Sequence, residues 1–248
     1  NYKTILNIHH DTNNVTWLAT ANGGIVKLLE GNGFKNANKF INNKELKEHL
    51  NFTSIYKDKN NIFLGTLFTG VYHGKDFSSL KQIKAIGNTK VNTLYEHKGK
   101  LYIGVSDGFY IYDLALEKSI FFSKRINKVT AFFIEKNTIY IGSQQQGIAI
   151  VDLENISNPK SYKFYSEYNE NKNKIKSNRI TSILKDEDDN IWLGSYNGLH
   201  LYDRSKKEFI HQSSLLHEKS TSEIINSLAI KGHFIWLATP NGLIKLKY

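Results

Sequence analysis

The chain of 248 residues has no cysteine, no methionine and only two prolines. Without cysteine there is no disulfide, no thiolate metal site and no cysteine nucleophile. That fits an oxidising compartment without requiring one. Two prolines exclude collagen-like and polyproline architecture. No apolar run approaches the roughly 18 residues of a membrane helix, so no membrane contact by this segment is expected. Arginine is scarce as well: of 33 basic residues, three are Arg (Arg125, Arg179 and Arg204). Nucleic-acid readers rely on arginine forks for bases and phosphates. The net charge of +10 rests on scattered lysines instead. Abundant Asn, Ile and Lys fit an AT-rich coding sequence, so no nucleic-acid partner is expected. With Asn1 in place of an initiator, the chain reads as a segment of a longer protein, and export signals cannot be judged from it.

What is present is enough for a core: 40% hydrophobic residues and 12% aromatics. A chain this long buries roughly 70–75% of its unfolded surface and needs no covalent staple.

A repeat organises the sequence. It runs Trp17-Leu-Ala-Thr, Phe63-Leu-Gly-Thr, Tyr102-Ile-Gly-Val, Tyr140-Ile-Gly-Ser, Trp192-Leu-Gly-Ser and Trp236-Leu-Ala-Thr. Soon after each aromatic comes a glycine: Gly24, Gly70, Gly108, Gly147, Gly198 and Gly242. Before each aromatic sits an apolar start: Ile5, Phe52, Val91, Val129, Ile180 and Ile225. Each unit therefore reads as four strands. Strand A is the β-branched run, as in Ile180–Ile183. Strand B carries the aromatic. The glycine makes the B–C turn, where a positive φ is expected. Strand D is a looser run at Phe34–Ile41, Phe77–Ile86, Ser119–Ser123, Ser161–Tyr165 and Glu208–His211. Asn43–Leu50 and Leu215–Ile225 could each hold a helical turn or two.

Four short strands per unit, repeated six times, predict an all-β fold, a β-propeller of four-stranded antiparallel blades. A solenoid would use fewer strands in shorter repeats. The repeats fall near 1–46, 47–86, 87–125, 126–172, 173–220 and 221–248, in a single domain. No strand D can follow Gly242–Tyr248, so the last blade is expected to lack its outer strand, or the ring to stand open where a further blade belongs. An exposed edge invites pairing with another chain, so a homodimer is one expected partner.

The fifth unit, Asn178-Arg-Ile-Thr-Ser-Ile-Leu-Lys-Asp-Glu-Asp-Asp-Asn-Ile-Trp-Leu-Gly-Ser-Tyr-Asn-Gly-Leu-His-Leu-Tyr-Asp203, resembles the two-component regulator propeller repeat. It departs from that pattern at Asp189 and Asn190, where a turn glycine is usual. The resemblance implies an extracytoplasmic, periplasmic sensor domain of a hybrid two-component system, with an oligosaccharide or another small polar ligand as partner. It also implies a parent protein with a membrane helix, an immunoglobulin-like module and a histidine kinase. This segment is then not an enzyme. A protein-interaction scaffold and a propeller lyase or hydrolase are the alternative classes.

Trp17, Trp192 and Trp236 recur at one structural position, so they read as wedges between blades rather than sugar platforms. The Asp186–Asn190 run lacks the Gly and Glu of a calcium loop and reads as a polar turn. The nine histidines show no metal spacing. No catalytic residue, metal or cofactor is expected. In a propeller the B–C and D–A loops share one face, and loops on a rigid scaffold carry binding. The candidate ligand-binding residues there are Phe68, Asp107, Gln145, Asn178, Arg179, Tyr196 and Asn197. Asn22, Gln144, Asn241 and the Lys172–Lys176 run belong to the same face.

Overall fold

Each of the six repeat aromatics lies on the second strand of an antiparallel meander. The computed structural model describes residues 5–11, 13, 15–20, 23–29, 33–48, 51–170, 174–212 and 223–248. Blade 1 holds β1 (Ile5–His10), β2 (Thr16–Thr20), β3 (Gly24–Leu29) and β4 (Gly33–Asn36). A single helical turn, α1 (Lys44–Glu48), leads to blade 2: β5 (Phe52–Lys57), β6 (Ile62–Thr66), β7 (Val71–Gly74) and β8 (Lys81–Gln82). Blade 3 holds β9 (Val91–His97), β10 (Lys100–Val105), β11 (Gly108–Asp113) and β12 (Lys118–Ser123). Blade 4 holds β13 (Val129–Glu135), β14 (Thr138–Ser143), β15 (Ile148–Asp152) and β16 (Lys163–Tyr165). Blade 5 holds β17 (Ile180–Lys185), β18 (Ile191–Ser195), β19 (Gly198–Asp203) and β20 (Glu208–His211). Blade 6 holds β21 (Ser227–Lys231), β22 (Phe234–Thr239) and β23 (Gly242–Lys247).

The architecture is a six-bladed β-propeller of four-stranded blades, and among the described residues the last sheet has three strands. The incomplete sixth blade agrees with the sequence reading. Five strand A starts also agree, while the sixth begins at Ser227 rather than Ile225. Strand D is shorter than expected in blades 1, 2 and 4. In blade 1, the Asn38 side chain accepts the Ile25 N–H at 2.9 Å, so an amide replaces the next ladder bond and a 3-10 turn follows. In blade 2, Asp76 gathers Ser78 and Ser79 into a turn before β8. In blade 4, Asn158 and Pro159 open a 3-10 turn that delays β16. The second expected helical segment lies mostly outside the described residues.

Two compact units divide the chain, Asn1–Phe122 and Ser123–Tyr248. In each, the core lies between consecutive sheets. Trp17 packs with Ile55, Leu64 and Phe77 between blades 1 and 2. Trp192 packs with Ile225, Leu228 and Leu237 between blades 5 and 6. These two tryptophans are 7% and 3% exposed, as wedges must be. The small residue two positions later exists for the same packing. A Cβ added at Gly142 would stand 2.7 Å from Ile180 Cγ2 of the next blade, and one at Gly65 would stand 2.6 Å from Val91 Cγ1.

Candidate functional site

Four of the six B–C turns share one construction. The Thr or Ser that ends strand B donates its hydroxyl to the turn glycine's carbonyl: Thr20 to Gly24, Thr66 to Gly70, Ser195 to Gly198 and Thr239 to Gly242, each at 2.9 Å. The glycine N–H then reaches the connection to the next blade. Gly70 donates to Thr89 O, Gly147 to Asn178 O and Gly198 to Glu223 O. The B–C and D–A segments are thus sewn together within each unit, as the sequence reading requires.

Blade 5 presents the most developed of these turns. Gly198 has φ +89°, a conformation open to glycine at no steric cost. Tyr196 N–H donates to Arg179 O at 3.0 Å, and Asn197 Nδ2 donates to Lys176 O at 3.0 Å. Arg179 N–H donates to Ser177 Oγ at 3.1 Å. These bonds fix the backbone and leave the Arg179 guanidinium 4.9 Å from the Tyr196 ring centroid. Tyr196 is 37% exposed and Arg179 is exposed. A planar cation stacked on a phenol offers a charged fork and an aromatic edge to one ligand.

Four of the seven candidate residues come together here: Asn178, Arg179, Tyr196 and Asn197. Asn178 is only 4% exposed, and its Oδ1 accepts the Glu167 N–H at 2.9 Å. Its part is to hold the loop. Asn197 has its amide nitrogen committed to Lys176. The side chains this turn leaves to solvent are therefore those of Arg179 and Tyr196. Gln145 is exposed on the blade 4 turn and Asp107 on the blade 3 turn. Phe68 is 63% exposed on the blade 2 turn, over a 220 Å3 hollow lined by Asn51, Leu67 and Thr69. Gln144 and Asn241 are exposed on the blade 4 and blade 6 turns. Asn22 and Lys172 lie outside the described residues.

Sequence reasoning missed His200. It sits on β19, 1% exposed, and its Nε2 accepts the Lys176 N–H at 3.2 Å. Burial, with His211 and Lys176 nearby, lowers its pKa to about 3. The ring is therefore neutral at ordinary pH, with its proton on Nδ1. It buttresses the loop that carries Arg179. The available signal was a histidine inside an apolar strand.

A further cluster lies at the other ends of these strands. Glu135 accepts from Arg204 Nη1 at 2.6 Å and from Lys185 Nζ at 3.2 Å, beside a 640 Å3 cleft. Lys185 is paired with Glu135 and Asp189 and Arg204 with Glu135, so these two cations offer little charge to a ligand. The Asp186 carboxylate is turned into its own A–B turn. It accepts from Asp188 N, Asn190 N and the Trp192 indole, which is the polar turn the sequence suggested.

Comparison with known proteins bears on this turn. The two component regulator propeller profile matches residues 174–197. No curated protein matches the chain. An extracellular domain assigned to a hybrid two component system of B. thetaiotaomicron, BT3049, superposes with TM-score 0.75 at 20% identity. That match covers 100% of this chain and 34% of the other, so this chain spans about a third of that protein's length. PorZ, a surface component of the type-IX secretion system of Porphyromonas gingivalis, gives TM-score 0.69 at 16% identity, over 98% of this chain and 38% of its own. The WD40 propeller of Doa1 gives the same TM-score, 0.69, at 11% identity, over 98% of this chain and 77% of its own. Equal scores for a secretion component and a WD40 protein mean that these likenesses show the fold alone. Among the described residues no helix is long and apolar enough to cross a membrane. The chain is a six-bladed β-propeller, and the stretch that matches the two component regulator propeller profile, residues 174–197, runs through the first two strands of its fifth blade.

Proposed function

We propose that this chain is a ligand-sensing propeller, the extracytoplasmic part of a two-component signalling protein. On this reading it lies in the periplasm, is joined to the rest of a sensor kinase, and recognises an oligosaccharide without breaking it down. The observation that carries the reading is where the family repeat falls. Residues 174–197 include the loop and the turn that present Arg179 and Tyr196. The geometry suits a saccharide: the phenol ring offers a stacking face, and the guanidinium suits a carboxylate or a pair of hydroxyls. Gln145, exposed on the blade 4 turn of the same unit, extends the site.

Calorimetry against a panel of oligosaccharides tests it. Saturable binding with no shortening of the sugar is expected. The double variant R179A/Y196A should lose on the order of 2 kcal/mol or more of binding energy, as hot-spot truncations do. Its melting temperature should stay near that of the wild type, because both side chains are exposed. Unchanged affinity in a folded double variant would remove the ligand from this turn, and sugar cleavage would replace the sensor with an enzyme.

A further inference from the structure

Blades 1 and 2 share a second cleft, of 470 Å3. Trp17 and Phe77 meet in its wall with ring centroids 5.2 Å apart, and Phe40, 48% exposed, stands at its rim. An adjoining hollow of 380 Å3 shares Phe40 and Phe77. Four lysines line the larger cleft: Lys27, Lys35, Lys57 and Lys75.

The lysines are placed against their own electrostatic interest. Lys27 on β3 stands directly opposite Lys35 on β4, and Trp17 on β2 stands directly opposite Lys27. One row across three neighbouring strands thus reads aromatic, cation, cation. Like charges directly opposite one another destabilise a sheet. Lys57 is partly answered by Asp11 at 3.4 Å. Among the described residues, Lys27, Lys35 and Lys75 form no ion pair. Asp76, the carboxylate in the wall, is already committed. It accepts the Ser78 N–H at 2.8 Å, the Ser78 hydroxyl at 2.6 Å and the Ser79 N–H at 2.9 Å. The indole N–H is taken by Asp11 at 2.8 Å. Asp76 keeps its charge, but with four lysines in the wall the cleft is net positive, and the ring surface it offers is that of Phe40, since Lys27 and Lys57 already lie over the Trp17 ring. Lys35 and Lys39 both lie over the Phe40 ring, at 5.9 and 5.0 Å from its centroid.

We propose that this cleft binds an anionic sugar, with a sulfate or carboxylate between Lys27 and Lys35 and the apolar face of the sugar ring on Phe40. An anion there removes the cross-strand repulsion and shares the two ammonium groups. A ring attached to it covers the exposed phenyl. A neutral sugar leaves the lysines unanswered, and a bare anion leaves Phe40 exposed. The site is separate from the blade 5 turn and does not depend on it.

Calorimetry with glucose 6-sulfate, glucuronate, glucose and inorganic sulfate tests the proposal on the intact chain. Saturable binding of glucose 6-sulfate or glucuronate is expected, at least tenfold tighter than either glucose or inorganic sulfate. Binding should weaken as salt rises, because the contact is charged. K27Q/K35Q should weaken it at least tenfold. F40A should weaken the anionic sugar and leave inorganic sulfate unchanged. The charge-matched control K59Q/K118Q, at exposed lysines outside the cleft, should bind as the wild type does. R179A/Y196A should also leave this binding intact, which separates it from the sensor reading. The proposal is overturned if no anionic sugar binds saturably, or if inorganic sulfate binds as tightly. It is equally overturned if K59Q/K118Q loses as much affinity as K27Q/K35Q, or if a folded K27Q/K35Q loses none.

Discussion

The indole N–H of Trp192 donates to the carboxylate of Asp186, six residues earlier, at 2.6 Å. The same bond joins Trp17 to Asp11 at 2.8 Å, again six residues apart. In both blades the acid opens the A–B turn and the tryptophan wedges against the next blade. One carboxylate therefore closes the turn through backbone N–H groups and fixes the orientation of the wedge. Blade 2 keeps the acid, Asp58, which accepts from Asn60 N and Asn61 N, but has Phe63 in place of the tryptophan. The turn survives there without the indole.

The first prediction follows from this pairing. Asp186 is 4% exposed, and Asp186→Ala strands the Trp192 N–H and two turn N–H groups. A cost of about 3 kcal/mol is expected, from the usual penalty for unsatisfied buried groups. Trp192→Phe keeps most of the packing and should cost about 1–2 kcal/mol. Urea unfolding of both variants and of the double variant should give a coupling of at least about 0.5 kcal/mol. Strict additivity would mean that the two residues act independently.

The second prediction concerns the small residue of the repeat. Gly142→Ala places a methyl 2.7 Å from Ile180 Cγ2, in a core that cannot easily yield. Overpacking of this kind costs about 1–3 kcal/mol. Blades 1 and 6 carry alanine at the equivalent positions, Ala19 and Ala238, so the sheet itself accepts a Cβ. The loss should therefore depend on the neighbour, and Ile180→Ala in the same chain should recover part of it. If Gly142→Ala melts with the wild type, the close approach is not what selects glycine.

Much of this fold could be read from the sequence, because the repeat encodes contacts made within one blade. The aromatic, the small residue and the turn glycine each serve a local geometry, and five strand A starts were legible to the residue. The D strands were not, because their lengths depend on side-chain bonds such as Asn38 to Ile25 that no period announces. The blade 5 turn was legible for the same local reason, and Arg179 and Tyr196 do meet. Asn178 was read as ligand-facing because asparagine in a loop looks available, whereas its side chain is buried and its Oδ1 accepts the Glu167 N–H. The lysine-lined cleft was hidden because Lys27 and Lys75 meet only through packing of two blades.

The third prediction is a dependence on pH. Burial brings the His200 pKa to about 3, from an ordinary 6.5. The unfolded chain therefore takes up this proton before the folded one does. Its contribution is complete above about pH 6.5 and is lost as the pH falls from there toward 3. The slope contributed is about 1.4 kcal/mol per pH unit inside that window. His73 and His97, both lowered mainly by burial, act in the same direction. His200→Gln keeps an acceptor for Lys176 N–H and does not titrate. Urea unfolding at pH 7.5, 6.0 and 5.0 should show a shallower acid-side slope in that variant, and equal slopes would overturn the assignment.

The last prediction concerns how blades are joined. The second residue of strand A is threonine in blades 2, 4 and 5, and its hydroxyl donates to a carbonyl at or shortly before the first strand of the following blade. Thr53 reaches Val91 O, Thr130 reaches Ile180 O at 2.6 Å and Thr181 reaches Ile225 O at 2.8 Å. The accepting carbonyl belongs to the residue that starts strand A or stands just before it, so the bond sets the spacing of neighbouring sheets. Valine matches threonine in shape but cannot donate. Thr130→Val should therefore cost about 1–2 kcal/mol, from a carbonyl left without its donor. Thr130→Ser loses a methyl but keeps the hydroxyl, and should cost less. Exchange of backbone amides in β13 and β17 should rise in the valine variant before it rises in β15, because the lost bond joins two blades rather than two strands of one. If serine costs more than valine, the methyl packing matters and the hydroxyl does not, and the blades are held by their apolar cores alone.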